Sequence, residues 1–157
     1  MRIFVIDDDK EELEKAEEII KARGHKVSIS HIRKGMEAYM LGNMLWRMPA
    51  DDGIITDLNF EMPGGYSGIT PSGLLIALHA IALGKPVVIC TRFKEGDNHH
   101  GARTSWIYDG YFRALDYISR CEKKPDMFLR WPDWVEKKNW ELACKRLENK
   151  FVALGGQ

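Results

Sequence analysis

The stretch Arg2-Ile3-Phe4-Val5-Ile6-Asp7-Asp8-Asp9 decides the fold. An apolar run that does not alternate marks a strand buried on both faces, the habit of strands inside parallel sheets. It ends abruptly in three aspartates. From Lys10 to Arg23, Leu13, Ala16, Ile19 and Ile20 recur at helical spacing among Glu and Lys, and Gly24 stands where a C-cap glycine would. Residues 26–32 then alternate apolar and polar, as a more exposed strand does.

The same alternation of strand and helix continues outward. Residues 34–48 predict a helix with a methionine-rich face (Met36, Met40, Met44, Met48), read as core filling. Strands are expected at 53–58 and 86–91 with a helix at 72–84 between them, then a helix at 105–121 and a strand at 126–131. A last amphipathic helix is expected to follow Pro132, burying Trp140, Ala143, Cys144, Leu147 and Phe151. The pattern predicts an α/β fold: a doubly wound, five-stranded parallel sheet with helices on both faces, in one domain over residues 1–157. Two long connections, near 59–72 and 92–104, interrupt it; both follow strand C-termini, where open α/β sheets bind ligands.

Composition narrows the function classes. Lys plus Arg and Asp plus Glu both number 23, so no global positive field exists to gather nucleic acid or anionic lipid. Cys90, Cys121 and Cys144 are widely spaced in apolar stretches, which suits buried thiols in a reducing compartment. No secretory signal pattern and no segment of membrane-spanning length is present, and a cytoplasmic location is the expectation.

The chemistry gathers at strand ends. Asp7 and Asp8 end the first strand, Asp57 the third and Thr91 the fourth, and in a parallel sheet these positions share one edge. Three neighbouring carboxylates repel unless a cation sits among them, and oxygen ligands of this kind suit Mg2+. Such a metal would shield the approach of an anionic phosphoryl donor to a carboxylate nucleophile, with Thr91 as a hydrogen-bond donor to the phosphoryl group. His99-His100 is a poor metal pair without further ligands, and the alternating charges from Lys10 to Lys21 read as a solvated face.

The pattern resembles a response-regulator receiver domain of two-component signalling, chemotaxis-regulator-like and with flavodoxin-like topology, though atypical. The matching features are Asp7-Asp8, Asp57, Met62-Pro63, Gly73 leading a helix, Thr91, and Phe128 with Pro132 near the fifth strand. The resemblance implies phosphorylation of Asp57, direct Mg2+ ligation by Asp8, ligation through water by Asp7, and ligation by the Asn59 backbone carbonyl. It also implies a switch in which Thr91 moves toward the phosphoryl group and Phe128 turns inward; a plain core role for Phe128 stands beside that.

Two departures stand out. Receivers carry a lysine just before the proline that ends the fifth strand, and aligning that proline with Pro132 puts Trp131 in the lysine's place. An indole cannot supply the ammonium. Arg130, Lys94 and a second register through Lys124-Pro125 are weaker substitutes. The second departure is the two loop insertions, which read either as a lid over the acidic pocket or as surface elaboration.

Three functions follow. The first is a stand-alone receiver that takes a phosphoryl group on Asp57 from a sensor histidine kinase or phosphotransfer protein with Mg2+, signals through protein contacts, and has no activity beyond autodephosphorylation. The second is a pseudo-receiver, a binding module not switched by phosphorylation, for which Trp131 speaks. The third is a phosphohydrolase resembling the haloacid-dehalogenase-like enzymes, suggested by the Asp7-x-Asp9 spacing. The receiver resemblance also allows a homodimer through the last helix and fifth strand, with Trp131, Trp134 and Trp140 either lining that surface or packed inside.

Overall fold

The computed structural model describes residues 1–32, 43, 46, 48–58, 60–61, 69–70, 72–91 and 138–156. In chain order these form β1 (Arg2–Asp7), α1 (Lys10–Ala22), β2 (Lys26–His31), a 3-10 turn (Met48–Ala50), β3 (Gly53–Thr56), β4 (Phe60–Glu61), β5 (Ile69–Thr70), α2 (Ser72–Ala82), β6 (Val87–Ile89) and α3 (Trp140–Ala153). The predicted strand at 126–131, the helix at 105–121, the insertion at 92–104 and most of the helix at 34–48 lie outside the described residues.

Four strands form one sheet in the order β2-β1-β3-β6, every neighbouring pair parallel. The chain therefore steps from β1 to one side, then crosses back to place β3 on the other. That reversal between β1 and β3 is the topological switch point, where a crevice opens outside the carboxyl ends of the strands.

Strand alternation sorts the core into two layers. Phe4, Ile6, Ile54, Val87 and Ile89 pack with Leu74, Ile76, Ala77, Ala80 and Ile81 of α2 on one side. Ile3, Val5, Ile55 and Val88 pack with Leu13, Ala16 and Ile20 of α1 and with Trp140, Ala143, Cys144 and Leu147 of α3 on the other. The fold is thus α/β, its parallel sheet covered on both faces, as the apolar run at residues 3–6 predicts. Burying each large aliphatic or aromatic side chain contributes about 1.5–3 kcal/mol, so both layers are needed to hold the sheet.

Helix boundaries follow local chemistry. Asp9 caps α1 by accepting the Glu11 and Glu12 amides, and Gly24 leaves the helix at φ +80, where a side chain would be strained. The last helix lies after Pro132 in the chain, as expected. It begins at Trp140, with Asn139 in a non-helical conformation accepting the Leu142 amide. An N-cap asparagine satisfies an orphan amide at the helix start. Trp140, Ala143, Cys144 and Leu147 are buried as expected, while Phe151 is only half-buried.

The insertion near 59–72 has order at its base. Phe60 pairs with Thr70 and Glu61 with Ile69 in an antiparallel ladder. The chain returns so closely that a Cβ on Gly73 would lie 1.9 Å from the Asp57 carbonyl oxygen and 2.8 Å from Leu58 Cα. Only glycine permits that approach, and the Gly73 amide donates to the Leu58 carbonyl at 3.0 Å across it.

Candidate functional site

The sheet brings the predicted acidic residues together at the switch point. Asp7 is the last residue of β1 and fully buried, Asp57 directly follows β3, and Thr91, also buried, lies two residues past β6. Backbone bonds fix the strand ends: the Asp57 amide donates to the Ile6 carbonyl and the Cys90 amide to the Thr56 carbonyl, each at 2.9 Å. One oxygen each of Asp7, Asp8 and Asp57 lie within 4.8 Å of one another. Asn59 and Phe128 lie outside the described residues.

A lysine occupies the centre of this cluster. Lys138 Nζ donates to Asp7 Oδ2 at 2.5 Å and lies 2.9 Å from Asp57 Oδ2. Its side chain is only 2% exposed. The expectation that the pocket lacks an ammonium is therefore corrected: whatever Trp131 does, Lys138 supplies the charge, one residue before the N-cap of α3. The second oxygens of the aspartates are engaged as well, Asp7 Oδ1 by the Asp9 amide at 3.0 Å and Asp57 Oδ1 by the Leu58 amide at 2.6 Å.

The electrostatics follow from burial and charge. Burial pushes Asp7 up to about 7; Lys138 opposes that shift and Asp57 reinforces it. Burial alone would depress Lys138, but Asp57 and Asp7 outweigh it and hold the ammonium above the ordinary lysine range. A paired buried charge is retained where an unpaired one would neutralise. Cys90, next to Thr91, is buried and its thiol is raised beyond the reach of physiological pH, which leaves it unreactive.

The donor set fits a hard divalent cation, since carboxylate oxygens from three residues converge and none is a nitrogen or sulfur ligand. Asp9, by contrast, is not among the three carboxylates that converge there. Its side chain accepts the Glu11 and Glu12 amides at 2.9 and 3.3 Å and so caps α1.

Sequence reasoning also missed Glu12, which falls within the charge run read as a solvated face. Glu12 is buried, accepting from Lys15 Nζ at 2.7 Å and from Trp140 Nε1 at 2.9 Å. Both bonds hold its carboxyl below the usual range against the opposing effect of burial. The available signal was its place one turn from a helix N-terminus, on the side that Leu13 and Ala16 bury.

Comparison with known proteins adds little. No family model matches the chain, and no curated protein matches it. Among solved structures, a D-lactate dehydrogenase from Sporolactobacillus sp. aligns over 100% of this chain and 51% of its own, at 13% identity and a TM-score of 0.35. The chain thus spans about half the length of that enzyme, and a likeness at this level carries no argument about fold or function. Among the described residues no helix is long and apolar enough to cross a membrane.

Proposed function

We propose that the chain is a response-regulator receiver in which Asp57 accepts a phosphoryl group from a histidine kinase or phosphotransfer protein and the phosphorylated state is read by protein contacts. A five-stranded sheet of receiver topology, its fifth strand between β6 and α3 in the chain, belongs to the same proposal. The observation that carries the reading is the Lys138 ammonium set between Asp7 and Asp57. It provides the cation whose absence spoke for a pseudo-receiver.

Each residue has a role in this reading. Asp57 Oδ2 attacks the phosphorus of the donor's phosphohistidine, forming a P–O bond as the P–N bond breaks and the imidazole leaves; its Oδ1 is oriented by the Leu58 amide. Lys138 loses its bond to Asp57 Oδ2 as that oxygen is esterified and pairs with a phosphoryl oxygen instead, so charge is conserved around it. Thr91, at the end of the neighbouring strand segment, donates its hydroxyl to another phosphoryl oxygen. Asp7 and Asp8 would hold Mg2+, which when bound offsets the negative charge of the incoming phosphoryl group.

The phosphohydrolase reading loses support, because its Asp7-x-Asp9 pair would need Asp9 as a proton donor in the pocket, whereas the carboxylates that converge there are those of Asp7, Asp8 and Asp57 and Asp9 Oδ1 caps α1. The pseudo-receiver reading retains one observation in its favour: Lys138 already neutralises the carboxylates without any added ion.

The test is incubation with Mg2+ and acetyl phosphate or beryllofluoride, followed by intact mass or fluorine NMR. An adduct that Asp57→Asn abolishes is the expected result. No adduct at saturating Mg2+ refutes phosphoacceptance and leaves the pseudo-receiver.

A further inference from the structure

Two buried polar side chains meet beside the pocket without entering it. Trp140 Nε1–H donates to Glu12 Oε2 at 2.9 Å, and the two residues are 2% and 7% exposed. A buried indole N–H needs an acceptor, but any backbone carbonyl would serve; a buried carboxylate is a costly choice unless its charge and position are used. Glu12 keeps its second oxygen on Lys15, so neither side chain is left unsatisfied by the arrangement.

The placement of the pair gives it a purpose. Glu12 sits in the first turn of α1, the helix that follows Asp7 and Asp8, and Trp140 is the first residue of α3, two residues after Lys138. The bond therefore ties the helix that follows the aspartates to the helix that Lys138 precedes. Lys138 Nζ also lies 6.0 Å from the Trp140 ring centroid, at the outer limit of attraction by an aromatic face. A lysine head on a flexible four-carbon stem stays between two carboxylates only if its backbone is held, because the stem's rotamer freedom opposes any single geometry.

We infer that Glu12 and Trp140 are positioning residues: their hydrogen bond latches the leading end of α3 to α1 and so sets the Lys138 ammonium between Asp7 and Asp57. The inference rests, for its functional consequence, on the reading of Asp57 as phosphoacceptor. Opening the latch lets α3 lift at its N-terminus and frees the ammonium from the acceptor, without touching any group that contacts the phosphoryl donor.

The test uses the full chain and two readouts. The first is free of phosphate: the rate of Lys138 acylation by acetic anhydride, resolved from Lys137 by fragment-ion mass spectrometry and normalised to the exposed Lys26. Trp140→Phe keeps a ring but deletes the donor, Glu12→Ala deletes the acceptor, and Glu12→Gln keeps one. Trp140→Phe and Glu12→Ala should each raise Lys138 acylation about fivefold, the worth of one hydrogen bond, while Glu12→Gln stays within about twofold of the wild type. The double variant should react no faster than either single one. Glu12→Ala carries the test should Trp140→Phe fail to fold, since alanine suits the first turn of a helix.

An unchanged Lys138 rate in the folded variants overturns the latch, as does an equal rise at every lysine. The second readout is beryllofluoride affinity with Mg2+, which should weaken in the same order as Lys138 acylation rises. If the wild type binds no beryllofluoride but Lys138 reactivity follows the order, the receiver reading falls and the latch stands. If the wild type binds it and Lys138 is indifferent to Trp140→Phe, the latch falls and the receiver reading stands.

Discussion

Lys138→Met removes the only cation that touches both Asp7 and Asp57 among the described residues, and its cost should depend on pH in a way that identifies the cause. Breaking a buried ion pair by deleting one partner costs about 3–5 kcal/mol. Here the proton can partly replace the ammonium. In the wild type Asp7 is pushed up to about 7 by burial, with Lys138 the main opposing influence; without Lys138 it rises further. An acid whose folded pKa exceeds its unfolded value of 3.8 is least costly below the unfolded value. Its contribution worsens by about 1.4 kcal/mol per pH unit until the folded pKa is passed. In the wild type that decline ends near pH 7, whereas in Lys138→Met it continues. The destabilisation should therefore be nearly constant below about pH 6, at about 3 kcal/mol, and grow by about 2 kcal/mol by about pH 8.5. Urea unfolding of both proteins at the two pH values, at constant ionic strength, measures it. A difference that is flat with pH, or below about 1 kcal/mol throughout, would refute the placement of the ammonium between the carboxylates.

Three further outcomes are expected. Gly73→Ala drives a methyl group into the Asp57 carbonyl and the Leu58 backbone, atoms that cannot step aside as a side-chain tip can. A loss of about 3 kcal/mol and about 6–12 °C in Tm by calorimetry is expected, and a loss under about 1 kcal/mol would contradict the close approach. If Asp7 and Asp8 hold Mg2+ as proposed, its binding displaces the Asp7 proton, so affinity by calorimetry should rise with pH and level off above about 7; a pH-independent affinity would exclude Asp7 as a ligand. The Glu148 carboxyl is lowered to about 2, chiefly by hydrogen bonds from Arg23 and also by His25. Its stabilisation is complete above its ordinary value of 4.5 and lost as pH falls toward 2. Glu148→Gln should cost about 1–2 kcal/mol near neutrality after solvent screening, and almost nothing in acid; an equal cost at both would point to packing instead.

What could be read from the sequence depended on whether the signal was local. The apolar run at residues 3–6 and the strand at 53–56 declare themselves because a strand buried on both faces has no polar positions to blur it. Gly24 marks a helix end because only its missing side chain allows the left-handed exit. The convergence of Asp7, Asp8 and Asp57 needed only the rule that parallel strands share a C-terminal edge. Lys138 was different. Its partner Asp7 lies 131 residues away, so nothing near it in the chain announces the pairing. The usable clue was Asn139, a good N-cap immediately ahead of the stripe Trp140, Ala143, Cys144 and Leu147, which places Lys138 at the end of whatever precedes the helix. Glu12 was misread because charge alternation was taken as exposure, whereas a carboxylate with two donors can be buried. The two-residue ladder between β4 and β5 is too short to impose any alternation at all.

The junction of Leu58 with Gly73 bears on how this protein can diversify. Because the chain closes on itself there, whatever lies between is attached to the domain at a base that the core already fixes. Lengthening such a closed segment adds only about 0.6 kcal/mol for each doubling of its length. Residues can be inserted, removed or exchanged there while Asp57 keeps its place at the strand end. The segment is a cassette: lineages, or a designer, can vary what joins Leu58 to Gly73 without re-solving the fold that presents Asp57.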